Sequence, residues 1–269
     1  RDVAPSRGLG DVYKRQANQK GGVGKTTTAF NIATALALKN NKVLAIDFDP
    51  QADLSKYAAF DNTDGNPTMS DLLIGKVGMS KAVEIKDCIR HNEVNHLDYI
   101  PCDINLANAD LFLAGVLSRE TILKRILDND IIKQYDYVII DCNPSLGVLL
   151  MNALTASTGV IIPVQVQDFA FGGLKTLTGV ISQIQETINP NLRILGVLPT
   201  MVDRTNASKR VIEQLESIYN NALFNTQIHR ATQAVESTKQ HKALCLIKGS
   251  KLGEEYIACA EELTKRIGV

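Results

Sequence analysis

An α/β fold, with a mostly parallel twisted sheet and helices on both of its faces, is predicted by two observations. Short, nearly continuous apolar runs recur at residues 42–47, 97–101, 135–141, 159–165 and 192–200. Amphipathic helical patterns lie between these runs or follow them. Apolar runs of this kind are typical of strands that are buried on both faces, and strands that alternate with helices form right-handed βαβ units.

The helices are indicated by apolar residues spaced three and four positions apart. This spacing begins at Thr26 and returns in residues 173–188 and 206–219. Residues 250–267 predict a final helix. We expect the apolar face of each helix to pack against the sheet.

One domain is predicted for residues 17–269, because no repeat, low-complexity tract or linker interrupts the alternation. Residues 1–16 are polar, contain several Gly, Pro and Arg residues, and lack apolar periodicity. We therefore expect a disordered or non-native leader, of which only the last few residues could form a strand.

The composition narrows the class of protein. The 269 residues are 45% hydrophobic and carry no net charge, so any binding of nucleic acid must come from a local patch. No apolar run reaches the ~18 residues of a membrane span, and no signal peptide is recognisable. The five cysteines form no C-x-x-C pair. We expect a cytoplasmic protein that does not contact membranes and whose cysteines are free thiols.

The stretch K-G-G-V-G-K-T, from Lys20 to Thr26, stands directly before the first predicted helix. A phosphate-binding loop needs backbone N–H groups that no side chain obstructs, with a helix N-terminus behind them. Lys25 can then reach the phosphates, and the Thr26 hydroxyl can hold Mg²⁺. The expected nucleotide-binding set is Gly21, Gly22, Val23, Gly24, Lys25, Thr26 and Thr27. The alternative is a flexible glycine-rich turn.

Three aspartates follow predicted strands. Asp47 ends the first apolar run and Asp49 follows it by two residues, and Asp141 ends the run at 135–141. Carboxylates at the carboxyl ends of strands lie where open α/β sheets bind ligands, and Asp141 has the position of a Walker B carboxylate that holds Mg²⁺. For Asp49 the alternative is a residue that caps a helix.

These three motifs together resemble the deviant Walker A ATPases, the family of ParA, MinD and the nitrogenase iron protein. The resemblance runs from Asn18 to about Ile267 and is strongest to ParA/Soj-like proteins of the short type, which lack an N-terminal helix-turn-helix. It implies a P-loop NTPase fold with ATP and Mg²⁺ as cofactors. Asn143 departs from the D-x-P-P that relatives usually have here.

The resemblance also assigns roles to single residues. Lys20 would cross a dimer interface and contact the phosphates that the partner subunit binds, and with Lys25 it would stabilise the transition state. Asp49 would orient the attacking water, and Asp47 would support the Mg²⁺ shell together with Thr26 and Asp141. In the stretch 196–208, which also resembles ParA proteins, Thr200 and Asp203 would lie near the adenine.

The function implied is that of a DNA-partitioning ATPase. Such a protein dimerises with ATP, binds DNA without sequence preference on the nucleoid, and hydrolyses ATP slowly until a ParB-like partner stimulates it. Three alternatives stay open. One is a MinD-like membrane-positioning ATPase, although "EELTKRIGV" at the C-terminus is short and lacks Trp and Phe. The others are a metabolic or redox enzyme on the same fold and a positioner of a protein cargo.

A basic segment gives the DNA-binding candidates. Residues 201–251 carry eight Lys and Arg against four Asp and Glu, a local surplus suited to phosphate contacts. The residues predicted to contact DNA are Lys209, Arg210, Lys242 and Lys248. Ordinary solvated lysines are the alternative, and Arg204 could serve the nucleotide site instead.

Overall fold

The computed structural model describes residues 13–16, 22–143, 145–166 and 171–268; residues 13–16 and Phe171 are described by their backbone alone. Within these ranges one sheet has the strand order β3-β4-β2-β5-β1-β6-β7. The strands are β1 (Tyr13–Gln16), β2 (Val43–Phe48), β3 (Arg90–Asn92), β4 (Leu97–Ile100), β5 (Tyr137–Cys142), β6 (Gly159–Gln165) and β7 (Arg193–Thr200).

All neighbouring strands are parallel except β3, which pairs antiparallel with β4. The helices are α1 (Lys25–Ala37), α2 (Asp53–Tyr57), α3 (Met69–Lys76), α4 (Ile85–Cys88), α5 (Ala109–Phe112), α6 (Ile122–Leu127), α7 (Val148–Thr155), α8 (Phe171–Thr187), α9 (Asn206–Tyr219), α10 (Gln233–Lys239) and α11 (Lys251–Ile267). The predicted fold class is therefore confirmed.

Helices cover both faces of the sheet, and alternate residues of β2 show how. Val43 and Ala45 pack in one apolar cluster with α1 and α11. Leu44 and Ile46 pack in a second cluster with α3, α6 and α7. A third cluster, built on β6 and β7, continues this second face and receives α8 and α9. We call the face covered by α1 and α11 the α1 face. The opposite face, which carries the second and third clusters, is the α7 face.

The predicted strands correspond to β2 and β4 to β7, and the predicted helices to α1, α8, α9 and α11. β1 lies in the middle of the sheet, between β5 and β6. Residues 13–16 of the expected leader thus form a strand, as allowed for its last few residues, while residues 1–12 lie outside the described ranges.

The cysteines are free thiols, as predicted. Cys245 is half-buried and the other four are buried. Burial raises the pKa of Cys88 and of Cys245 to about 12, so these thiols stay protonated and unreactive at neutral pH. Among the described residues, no helix combines the length and apolar character that crossing a membrane requires.

Candidate nucleotide and magnesium site

The loop before α1 has the backbone conformation that its glycines predict. Gly22 and Gly24 have φ angles of +79° and +81°, in the left-handed region that residues with a Cβ rarely adopt. Gly24 is the N-cap of α1, and no side chain caps the helix. The first-turn N–H groups are therefore available to an anion, and the helix dipole adds to the attraction. Lys20 and Gly21 lie outside the described residues.

Two aspartates meet at the carboxyl ends of neighbouring strands. Asp47 on β2 and Asp141 on β5 are paired in register, and both are buried. Within the described part of the chain, neither carboxylate oxygen of Asp141 has a hydrogen-bond partner. Burial and, after it, the charge of Asp47 raise the pKa of Asp141, and the nearby Thr26 hydroxyl and Lys25 lower it; the net pKa is about 8.

Asp47, in contrast, is fully engaged with the chain that follows β2. Its Oδ1 accepts a hydrogen bond from the Asp49 N–H at 3.2 Å, and its Oδ2 accepts from the N–H and Oγ of Ser55 at 2.8 and 2.6 Å. Burial still raises the pKa of Asp47 to about 7. The structure thus shows Asp47 holding the loop that carries Asp49.

Asp49 is 9% exposed and accepts a hydrogen bond from the Gln51 N–H at 2.9 Å. Burial raises the pKa of Asp49, and the nearby Lys25 lowers it. Because Lys25 influences both Asp49 and Asp141, the start of α1 and the ends of β2 and β5 form one site.

This site suits a hard cation. An unpartnered buried carboxylate is costly, and Mg²⁺ prefers oxygen ligands, usually one or two carboxylates together with phosphates and water. Among the described residues, no group of three or more His, Cys, Asp or Glu side chains could hold a metal without other ligands. Asp141 and Thr26 therefore fit a Mg²⁺ ion that shares its shell with a nucleotide.

A pocket of about 520 Å³ lies beside the loop, within the size range of small-molecule sites. Val23, Gly24 and Thr27 contribute from the loop and α1, and Thr200 contributes from the end of β7. The Thr200 hydroxyl donates a hydrogen bond to the Val23 carbonyl at 2.9 Å. Of the two residues predicted near the adenine, Thr200 is thus at the pocket.

Asp203 lies elsewhere. Its Oδ1 accepts hydrogen bonds from the hydroxyls of Thr205 and Ser208, the latter at 2.6 Å, at the start of α9. It lines a neighbouring pocket of about 380 Å³. The structure does not bring Asp203 to the larger pocket.

The sequence does not predict the far wall of the larger pocket. This wall is formed by residues 228–235, except for Gln233, together with Leu252 and Tyr256 of α11. The segment has no apolar periodicity, and long-range contacts hold it. Val202 forms an isolated bridge with His229, and the His229 N–H donates to Glu255 at 2.9 Å. No local sequence signal could have identified this wall.

The four residues predicted to contact DNA lie on elements that pack on opposite faces of the sheet. Lys209 and Arg210 are exposed on α9, which packs on the α7 face through Leu215. Lys242 and Lys248 lie between α10 and α11, where Ala243 and Leu244 are buried on the α1 face. The neighbouring pocket of about 380 Å³ instead brings together three other basic residues, which are Arg204, Arg230 and Lys251.

The fold and the site define a P-loop ATPase. The sequence profile of a family described as "AAA domain" matches residues 15–194. The sporulation initiation inhibitor protein Soj of Bacillus subtilis is 39% identical over 91% of this chain and 95% of its own. The chromosome-partitioning ATPase Soj of Treponema pallidum is 36% identical over 93% and 96%.

Solved structures are similar over nearly the whole chain, and two of them hold a bound ATP analogue. One is cobyrinic acid a,c-diamide synthase from Mycobacterium smegmatis with bound ATP analog and magnesium, with a TM-score of 0.81 and 33% identity over 96% of both chains. The other is a putative plasmid partition protein from Borrelia burgdorferi bound to AMPPNP, with a TM-score of 0.76 and 27% identity over 96% of this chain and 98% of its own. This chain belongs to the ParA/Soj-like family of partitioning ATPases.

Proposed function

We propose that this protein is a DNA-partitioning ATPase that binds Mg²⁺ and ATP at the start of α1, dimerises with ATP and binds DNA without sequence preference. The observation that carries the nucleotide chemistry is the buried carboxylate of Asp141, which has no partner among the described residues and lies beside the uncapped start of α1. The family membership supports the partitioning role.

Each residue of the site has a proposed task. The first-turn N–H groups of α1 and the Lys25 ammonium bind the phosphates, and Thr26 and Asp141 hold Mg²⁺, with Asp47 supporting its shell. Bound Mg²⁺ neutralises charge that develops on the phosphates. Asp49 orients the attacking water, and its position is fixed by the Asp47 carboxylate and the Gln51 N–H. Lys20 supplies a cation to the partner subunit's phosphates.

Two lysine variants test the ATP-dependent dimer. Lys25→Ala should abolish ATP binding, because the phosphates lose their main cation. Lys20→Ala should bind ATP nearly as the wild type does, yet neither dimerise nor hydrolyse it. Nucleotide titration, sizing with and without ATP, and phosphate release measure these outcomes. Normal turnover by Lys20→Ala would overturn the proposed role in trans.

A ParB-like partner is expected to stimulate slow basal hydrolysis. The competing proposal is a metabolic enzyme, which the similarity to a diamide synthase structure favours. Turnover near an ordinary enzyme rate of about 10 per second, without DNA or a partner, would support that alternative. Stimulation by a centromere-binding protein encoded beside this gene would support the partitioning role.

The structure also bears on the MinD-like alternative. The C-terminal helix α11 has a buried apolar face, which includes Leu252, Tyr256 and Leu263 and packs on the α1 face. That face contributes to the core and is not available to a bilayer in this fold. Sedimentation with liposomes in the presence of ATP tests this alternative. Co-sedimentation of the protein would favour a MinD-like function.

A further inference from the structure

We infer that Thr200 is a positioning residue of the phosphate-binding loop, fixing the orientation of the peptide between Val23 and Gly24. The inference rests on the proposed binding of a nucleotide at this loop. The Thr200 side chain donates a hydrogen bond to the Val23 carbonyl at 2.9 Å. Thr200 is 2% exposed and Val23 is 1% exposed, so water does not compete for this bond.

The peptide needs such a bond because the glycine that follows it does not restrict its orientation. A peptide flip changes ψ of the residue before it and φ of the residue after it. The residue after it is Gly24, with φ +81°, and glycine populates positive and negative φ about equally. Sterics at Gly24 therefore do not select one orientation, whereas the Thr200 hydroxyl does.

The orientation of the Val23–Gly24 peptide determines the direction of the Gly24 N–H group. In a trans peptide the C=O and N–H groups point in opposite directions. Because the Val23 carbonyl points at Thr200, the Gly24 N–H points away from β7. Among the described residues, none accepts a hydrogen bond from this N–H. The Gly24 carbonyl, in turn, accepts from the Thr28 N–H at 2.8 Å, which fixes the other side of Gly24 to α1.

A flipped peptide would present a carbonyl oxygen where the loop needs a donor. Backbone N–H groups of such loops bind phosphate oxygens, and a carbonyl in their place repels them. Thr200 thus acts on phosphate affinity through Val23 and Gly24 without touching the phosphate. This role differs from the contact with the adenine that the sequence predicted for this residue.

The test compares Thr200→Val, which keeps the branched shape and loses the hydroxyl, with Thr200→Ser, which keeps the hydroxyl. Affinities for ADP and for pyrophosphate are measured by calorimetry or by displacement of a fluorescent ADP analogue. Thr200→Val should bind both probes about three- to tenfold more weakly, the usual worth of one hydrogen bond. Thr200→Ser should stay within about twofold of the wild type.

Thr34→Val is the matched control. Thr34 is buried in α1, and its hydroxyl donates to the Phe30 carbonyl at 3.0 Å, away from the loop. This variant also removes one buried side-chain hydrogen bond, yet it should keep both affinities. If Thr200→Val does not fold, Thr200→Ala replaces it.

Two results would overturn the inference. One is a Thr200→Val protein that binds ADP as tightly as the wild type. The other is a loss of ADP affinity without a matching loss for pyrophosphate, which would place Thr200 in the base pocket. A wild-type protein that binds neither probe would instead overturn the proposed function itself.

Discussion

At the scale of single residues, the Asp141 carboxyl group links the candidate site to the pH dependence of stability. Its pKa of about 8 in the fold exceeds the ordinary value of 3.8. The folded state therefore binds this proton more tightly, and the free energy of unfolding falls as pH rises from about 4 to about 8. Burial of an acid is thus a cost to the protein in the absence of Mg²⁺.

Asp141→Asn should remove that cost. In EDTA and without nucleotide, the variant should melt about 2–4 °C above the wild type near pH 8.5, and the difference should shrink toward pH 5. Thermal melts across this range measure it. The same variant should lose Mg²⁺-dependent nucleotide binding. If Asp141→Asn melted below the wild type at high pH, or if the difference did not depend on pH, the raised pKa of Asp141 would be contradicted.

Asp49 should matter to hydrolysis alone. Asp49→Ala should bind Mg²⁺ and ATP and dimerise, but hydrolyse ATP about 100-fold more slowly or worse, because a carboxylate that positions water acts only in the chemical step. Asp53→Ala is the control, since Asp53 is half-exposed and pairs with Lys56. Failure of Asp49→Ala to dimerise with ATP would show that the role is wrongly assigned.

At the scale of elements, β1 has a composition that its position does not predict. Central parallel strands are usually apolar, yet β1 reads Tyr-Lys-Arg-Gln. Its partners include Ile139, Ile140 and Val160, which are buried. The combination Lys14→Val and Arg15→Ile should raise the melting temperature by about 2–4 °C or more. The control, Lys248→Val at an exposed site, should leave the melting temperature unchanged. A β1 variant that melts below the wild type would show that the polar residues of β1 do not destabilise the sheet.

Two helical glycines give a second test of packing. A Cβ at Gly253 in α11 would lie 2.3 Å from the Leu244 carbonyl oxygen, whereas one at Gly179 in α8 would meet nothing within 4 Å. Gly179→Ala should stabilise the protein by about 0.5–1 kcal/mol through helix propensity. Gly253→Ala should destabilise it by about 1–3 kcal/mol, because the helix must move. Urea denaturation measures the free energy of unfolding of both variants. Equal changes in the two variants would mean that α11 packs less closely against Leu244 than the structure shows.

The elements that the sequence predicted are those with long local signals. β2 and β5 are continuous apolar runs, and α8 and α11 each give 17 residues of periodicity. β3 has three residues, Arg-His-Asn, and most of the unpredicted helices are too short for a period to show. The loop and the carboxylates were predictable because each motif is contiguous. The wall at 228–235 was not, because distant contacts with Val202 and Glu255 place it.

At the scale of the whole molecule, a chain without net charge needs a concentrated basic surface to hold DNA. Arg204, Arg230 and Lys251 line one pocket, whereas the predicted residues Lys209 and Lys242 are on elements that pack on opposite faces. We therefore expect the basic pocket, defined by Arg204, Arg230 and Lys251, to contribute more phosphate contacts. Asp203 and Glu255 in the same pocket moderate its charge.

Replacing Arg204 and Lys251 of the basic pocket with Ala should strongly weaken the ATP-dependent, sequence-independent binding of duplex DNA while sparing dimerisation. Arg230 is kept, because it also lines the larger pocket beside the loop. Two chains would contribute about six contacts, so the wild-type log–log salt slope should lie near −5 and the variant's slope should be much shallower. The combined Lys209, Arg210, Lys242 and Lys248 variant should lose less affinity.

The control replaces Lys124 and Arg125, which are exposed on α6, with Ala. Fluorescence anisotropy from about 50 to 300 mM salt measures each slope. If the four-residue variant lost more affinity than the pocket variant, the original assignment would be favoured, and salt-insensitive binding would exclude a phosphate-based surface altogether.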